Sequence, residues 1–169
     1  NPVAVSRQGA TGLWQFMLGT GKIYGLKNNS LIDERRDPVK STWAAARYLK
    51  DLYDIYQDWN LVLAAYNCGP GTINKAIRRA GGATDYWTIY NYLPKETRGY
   101  VPAFIAANYV MTYYCKHNIC PMETNIPDAT DTIQVNRNLH FEQITDVCGI
   151  GMDEVKSLNP QYKKNIIPG

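Results

Sequence analysis

The stretch Asp37–Tyr56, DPVKSTWAAARYLKDLYDIY, decides the fold class. Asp37 followed by Pro38 is a helix start, because an aspartate accepts from the first free amides and proline at the first helical position gives up an N–H the helix does not use. Val39, Trp43, Ala46, Leu49, Tyr53 and Tyr56 then recur at steps of three and four, the period of a helix with one apolar side. A long amphipathic helix is predicted here. Toward the C-terminus, Asn60 can cap a second segment, LVLAAYN. Gly69-Pro70-Gly71 breaks it before TINKAIRRA resumes the helical pattern, and Gly81-Gly82 ends that piece. Residues 86–93, YWTIYNYL, form an aromatic patch stopped by Pro94, and Glu96 to Lys116 carries Val101, Phe104, Ile105, Tyr109 and Tyr113 on one more helix. From Val3 to about Ile119 the chain reads as all-α.

Further out the pattern changes. Pro121 to Asp131 lacks apolar periodicity and reads as a linker. Thr132–Val135 alternates like a strand, Leu139 to Val147 looks helical, Gly149–Gly151 is a turn and Met152–Leu158 a second short helix. With 169 residues the chain suits one domain of about 150 residues and a remainder. The predicted division is therefore 1–120, a linker at 121–131, and a small unit at 132–169.

The balance of 18 Lys+Arg against 15 Asp+Glu, a formal charge of +3, argues against nucleic acid as a partner. No apolar run reaches the roughly 20 residues of a membrane helix, and no signal segment opens the chain, although an anchor upstream of Asn1 is compatible with it. Cys68, Cys115, Cys120 and Cys148 lack the paired spacing of a zinc site, so neither metal nor cofactor is expected. Cys115 and Cys120 enclose a loop short enough to bridge in an oxidising compartment, and free thiols are the plainer expectation. The aromatic content is skewed to 13 Tyr and 4 Trp against 3 Phe. Rings with a polar handle suit a half-wet groove, or a core with hydroxyls at its edge.

Three short segments carry candidate chemistry. Gly12-Leu13-Trp14-Gln15-Phe16-Met17 follows Asn1-Pro2, Ser6 and Gly9-Ala10; its glycines permit close backbone approach, and Gln15 can both donate to and accept from a sugar hydroxyl or acetamido group. Ala64-Ala65-Tyr66-Asn67 ends at Gly69-Pro70-Gly71, so two polar residues stand at a forced chain break. Leu93–Val101, LPKETRGYV, adds Glu96 and Tyr100. Each segment alone is also an ordinary amphipathic helix or a core ring with a tied hydroxyl.

Together, N-P-x-A-x-S, G-L-W-Q-F-M, A-A-Y-N-x-G-P-G and E-T-R-x-Y-V, in this order over residues 1–116, resemble the lysozyme-like lytic transglycosylases of peptidoglycan, of the membrane-bound lytic murein transglycosylase D type. The resemblance implies a mainly α, lysozyme-like fold that cuts the β-1,4 bond between N-acetylmuramic acid and N-acetylglucosamine, leaving a 1,6-anhydro end. It implies that Ser6, Gln15, Met17, Tyr66, Asn67, Glu96 and Tyr100 line the saccharide site, Tyr66 and Glu96 in supporting catalytic roles. The tail, through Asp131-Thr132-Ile133, Leu139, Gln143-Ile144, Gly149-Ile150, Leu158-Asn159-Pro160 and Ile167-Pro168-Gly169, is similar to a LysM module, a βααβ glycan binder. The chain stops where the closing strand is expected, so the unit is predicted to be partial. A structural extension is the alternative.

The family's acid is the Glu of a Glu-Ser pair about four residues before the Asn-Pro matched by Asn1-Pro2, so the chain as given is expected to lack it. Glycosidic cleavage needs a carboxylic acid to protonate the leaving oxygen. Glu96 is the only acid within the motifs, and an ion pair with Arg98 or Lys95 is its plainer role. Asp33, Glu34 and Asp37 read as residues that cap and solvate a helix start, and His117 and His140 as surface histidines. The resemblance places the parent protein in the cell envelope, periplasm or outer membrane, acting on peptidoglycan glycan strands. A goose-type lysozyme and a non-catalytic glycan-binding protein are the alternatives.

Overall fold

The computed structural model describes residues 1–122 and 129–169, so part of the predicted linker, 123–128, lies outside the described residues. Asn1–Tyr48 together with Ala129–Gly169 make one compact unit, and the described part of Leu49–Asp128 makes another.

In the first unit an irregular N-terminal segment leads to α1 (Leu18–Ile23) and to α2 (Pro38–Tyr56) as far as Tyr48. Asp37 starts α2 as expected: its Oδ1 accepts from Val39 N at 3.0 Å and Lys40 N at 2.9 Å. The buried face matches the predicted one only toward the end of the helix, where Tyr56 is buried and Leu49 and Tyr53 are half-buried. Ser41, Ala44, Ala45, Leu52 and Tyr56 are buried, while Val39, Trp43 and Ala46 face solvent. Small residues occupy the inward stripe because they let a neighbour approach the helix closely, and Phe16, Leu26, Trp14, Tyr24 and Tyr48 pack on Ala44 and Ala45.

The tail of this unit is built from β1 (Leu139–His140), α7 (Phe141–Cys148), α8 (Met152–Leu158) and β2 (Ile166–Ile167). β1 and β2 are antiparallel, with Leu139 opposite Ile167 and His140 opposite Ile166. Two expectations are corrected here. Residues 132–135 are not a strand, since alternation alone supplies no partner for the ladder. The closing strand is present, two residues long, and completes the βααβ order. His140 starts α7 with a reciprocal cap, its N–H donating to Gln143 Oε1 at 2.9 Å, and Gly149 ends it at φ 66°. Phe141 and Val155 are buried between the two helices' inner faces, and Tyr162 meets the Phe141 ring edge-on at 5.9 Å.

In the second unit α3 (Trp59–Cys68) packs against α4 (Pro70–Arg79), α5 (Tyr86–Ile89) and α6 (Lys95–Tyr113). Asp58, not Asn60, caps α3, accepting from Leu61 N at 2.7 Å. Gly69 at φ 83° turns the chain from α3 into α4, and Asp85 caps α5. Leu61, Val62, Ala64 and Ala65 of α3 are buried with Ile73, Ala76, Tyr86, Ile89, Leu93 and Val101. Of the apolar positions predicted on α6 only Val101 is buried; Phe104, Ile105, Tyr109 and Tyr113 are exposed. Pro102 lies inside α6 and has no N–H for the carbonyl of Arg98, and the Tyr86 hydroxyl takes that place, 3.1 Å from Arg98 O.

Candidate functional site

The predicted site residues fall into two groups, one in each unit. In the first, residues 4–16 form a compact turn. Thr11 bridges both Val5 and Phe16, and Gly12 N donates to Ala4 O at 2.9 Å. Gly12 has φ 90°, and a Cβ there would lie 1.9 Å from Arg35 O, so only glycine fits. The close approach foreseen for this glycine is thus to the chain itself. Gly9, at φ 82°, has nothing within 4 Å of its Cβ position and is required for conformation alone.

Gln15 sits at the tip of this turn with φ 50°, a left-handed conformation uncommon outside glycine. Its Nε2 donates to Gly12 O at 2.8 Å and Ala4 O at 3.4 Å. The Gln15 amide nitrogen is thus used within the turn, on a side chain that is otherwise exposed. The Ser6 hydroxyl oxygen likewise serves the loop, accepting from Ala10 N at 3.0 Å. Met17 precedes α1 at its N-cap with its side chain half-exposed. Trp14 is half-buried against the core, its Nε1 donating to Thr42 Oγ1 at 2.8 Å.

The turn is held by a buried pair that sequence reasoning misread. Asp33 and Glu34 are not solvated: they are 2% and 6% exposed. Asp33 binds Arg35 through both oxygens, from Nε at 2.9 Å and Nη2 at 2.8 Å, and Arg35 Nη1 donates to Gly9 O and Phe16 O, both at 3.1 Å. Burial alone would raise the Asp33 carboxyl, but the bonds and charge of Arg35 outweigh it and hold the group below its ordinary value. Glu34 accepts from Lys27 N at 2.7 Å and from Lys40 Nζ at 2.5 Å, a bond that raises the Lys40 ammonium above its usual range against the opposing effect of burial.

In the second unit, Tyr66 and Asn67 lie in the last turn of α3, half-buried, with Glu96 and Tyr100 on the first turns of α6. Thr97, buried and not singled out from the sequence, joins them: its Oγ1 donates to Asn67 Oδ1 at 2.8 Å. Glu96 and Tyr100 are one helical turn apart and share a face. Glu96 is exposed and makes no ion pair among the described residues; Arg98, its expected partner, has its guanidinium 5.7 Å from the Tyr90 ring centre instead. Partial burial raises the Tyr100 phenol. Burial also raises the Cys68 thiol, against the lowering effect of its bonds with Thr97 and Thr72. All four cysteines are free thiols. The Tyr and Trp rings divide between the surface, with Trp43, Trp59, Trp87, Tyr92 and Tyr109 exposed, and half-buried positions, and only Tyr56 and Tyr86 are buried.

Comparison with known proteins bears on this arrangement. The model of the transglycosylase SLT domain matches residues 1–89, and that of the lytic transglycosylase MltD LysM-like domain matches 129–169. The membrane-bound lytic murein transglycosylase D of Escherichia coli (strain K12) is 33% identical over 167 residues, 96% of this chain and 36% of that protein. The soluble lytic murein transglycosylase of the same strain is 30% identical over 68% of the chain and 19% of its own length. The membrane-bound lytic murein transglycosylase F of Maricaulis maris (strain MCS10) is 38% identical over 52% of the chain and 20% of its own. The chain spans about a third or less of the length of these relatives. It belongs to the transglycosylase SLT domain family and carries a LysM-like domain of the MltD kind at its C-terminal end.

Proposed function

We propose that this chain is the glycan-binding and cleaving region of a peptidoglycan lytic transglycosylase, acting in the cell envelope, periplasm or outer membrane, on the β-1,4 bond between N-acetylmuramic acid and N-acetylglucosamine. Residues 1–120 are the transglycosylase region, 121–131 a connection and 132–169 the LysM-like module, a division that the separate matches at 1–89 and 129–169 support. The observation that carries the reading is the Thr97–Asn67 bond, which brings two of the family's ordered motifs to one end of the α3–α6 pair. Asn67 and Tyr66 then face the sugar from α3, and Glu96 and Tyr100 from α6. Gln15, on its strained turn, accepts from a sugar donor.

The chemistry needs one carboxyl group that first protonates the leaving oxygen and then takes the proton of the sugar's own C6 hydroxyl, which closes on C1 in place of water. A group of that kind needs a dry setting to hold a proton near neutral pH. Glu96 is exposed at the helix start, and its role is support within the groove. The residues present therefore bind the strand, and the acid is the Glu of the Glu-Ser pair that the family places before Asn1.

Digestion of purified sacculi tests this. The 169-residue chain should bind chitooligosaccharide weakly and release nothing measurable, and a chain preceded by about ten residues with a Glu-Ser pair should release fragments. Mass spectrometry of those fragments should find anhydro ends, lighter by one water than hydrolysed ones. Hydrolysed ends would favour a lysozyme-type reaction, and rapid digestion by the 169 residues alone would overturn the assignment of the acid.

A further inference from the structure

The LysM-like tail is joined to the N-terminal turn by a continuous set of bonds. Residues 28–33 form a tight loop: Asn29 Oδ1 accepts from Leu31 N and Ile32 N, each at 2.8 Å, and Asn28 bridges Asp33. Residues 161–163 of the tail lie along this loop as an extra edge. Asp33 N donates to Gln161 O and Lys163 N to Leu31 O, both at 2.8 Å, and Ile32 pairs with Tyr162 in an antiparallel bridge. The Lys163 ammonium donates to Asn29 O at 2.6 Å and Asn28 Oδ1 at 3.1 Å. Tyr162 is anchored on the other side by the buried Phe141 ring of the tail's own core. The residue whose backbone the tail grips, Asp33, is the one whose side chain orients Arg35, and Arg35 holds the carbonyls of Gly9 and Phe16 on either side of Gln15.

We propose that the tail is a positioning element of the sugar-binding turn: Tyr162 and Lys163 hold the 28–33 loop, and through Asp33 and Arg35 they fix the conformation in which Gln15 meets the glycan. Lys163 is a positioning residue. It is exposed, and it acts on a residue more than a hundred positions away through a chain of bonds each within hydrogen-bond range. The left-handed backbone at Gln15 gives the coupling its reason. An uncommon conformation persists only where its surroundings over-determine it, and the Arg35 bonds to Gly9 O and Phe16 O do this. The role of Gln15 as a sugar contact rests on the reading under Proposed function; the mechanical link to the tail does not.

Lys163→Ala removes the ammonium bonds from an exposed position and should leave the chain folded. Its dissociation constant for chitotetraose should rise about threefold, the size of effect a second-hand contact has on a binding site, and Lys163→Arg should restore it. Without sugar, the amide and side-chain NH₂ signals of Gln15 should shift in Lys163→Ala while those of Asn67 and Thr97 stay in place. Unchanged Gln15 signals overturn the proposal, as does wild-type affinity in a chain that binds the sugar. If the unsubstituted chain binds no chitotetraose, the sugar-site reading fails, and the Gln15 signals still decide the link to the tail.

Discussion

Thr97 Oγ1 donates to Asn67 Oδ1 at 2.8 Å, thirty positions apart in the chain, and this bond ties the end of α3 to the first turn of α6. Thr97 is buried, so its partner cannot be exchanged for water without rearrangement. Thr97→Val keeps the shape and removes the donor. It should lower stability by about 1–2 kcal/mol and weaken chitotetraose binding through a loosened Asn67, whereas Thr97→Ser should retain most of both. Thermal unfolding and titration of the two variants check this.

Gly12 and Gly9 both have positive φ but differ in their surroundings. Gly12→Ala sets a methyl against Arg35 O and should destabilise by more than about 3 kcal/mol, combining backbone strain with a clash against main chain. Gly9→Ala has open space and should cost only about 1 kcal/mol, the conformational part. Chemical denaturation of the pair separates the two effects.

The Tyr86 hydroxyl bonds a carbonyl that exists unpaired because Pro102 follows four residues later. Tyr86→Phe should cost about 1–2 kcal/mol for the orphaned Arg98 O. Pro102→Ala supplies an N–H to the same oxygen, so the cost of Tyr86→Phe should shrink in that background. A double-mutant cycle reads the difference directly.

Asp33 titrates below its ordinary value in the folded chain, so the stability it contributes is fully present above the unfolded value, about 3.9, and is lost as pH falls through the lower folded value. Asp33→Asn should flatten the fall in stability below about pH 4 while lowering stability at neutral pH. Lys40 runs the other way: raised by Glu34, its contribution is complete below the unfolded lysine value, about 10.4, and fades as pH rises through the folded one. Denaturation midpoints across the acid and alkaline ranges check both signs.

Asp37-Pro38 and Gly69-Pro70-Gly71 were legible in the sequence because capping and chain reversal are local: the residue that makes the signal also makes the bond. The buried face of α2 was legible only in its second half, at Leu49, Tyr53 and Tyr56. Val39 and Trp43 have the hydrophobicity of a core, but burial depends on what approaches the helix, and here the approach is to Ser41, Ala44 and Ala45. The choice between Asp58 and Asn60 was equally closed to sequence, since both side chains can accept from a helix start and the turn after α2 decides which one does.

Asp33 and Glu34 mark the same boundary at the candidate site. Two acids before a helix read as solvated, and nothing nearby in sequence says that Gly9 O and Phe16 O, 26 and 19 positions from Arg35, complete a buried network around them. Residues 132–135 alternate as a strand should, yet the ladder forms between Leu139–His140 and Ile166–Ile167, because a strand exists only with a neighbour.

By itself the sequence determined the start of α2, the break at Gly69-Pro70-Gly71, the mainly helical character of the first region, the two short helices of the tail and the ordered motifs that mark the family, since each rests on a residue's own conformational preferences or on spacing along the chain. Only the tertiary structure decided which faces are buried, that Thr97 holds Asn67, that the Gln15 amide nitrogen is bonded within its own turn, and that the tail grips the loop carrying Asp33. Most of those depend on bonds between residues far apart in the chain, and free energies of burial and pairing belong to the contact, not to either residue alone.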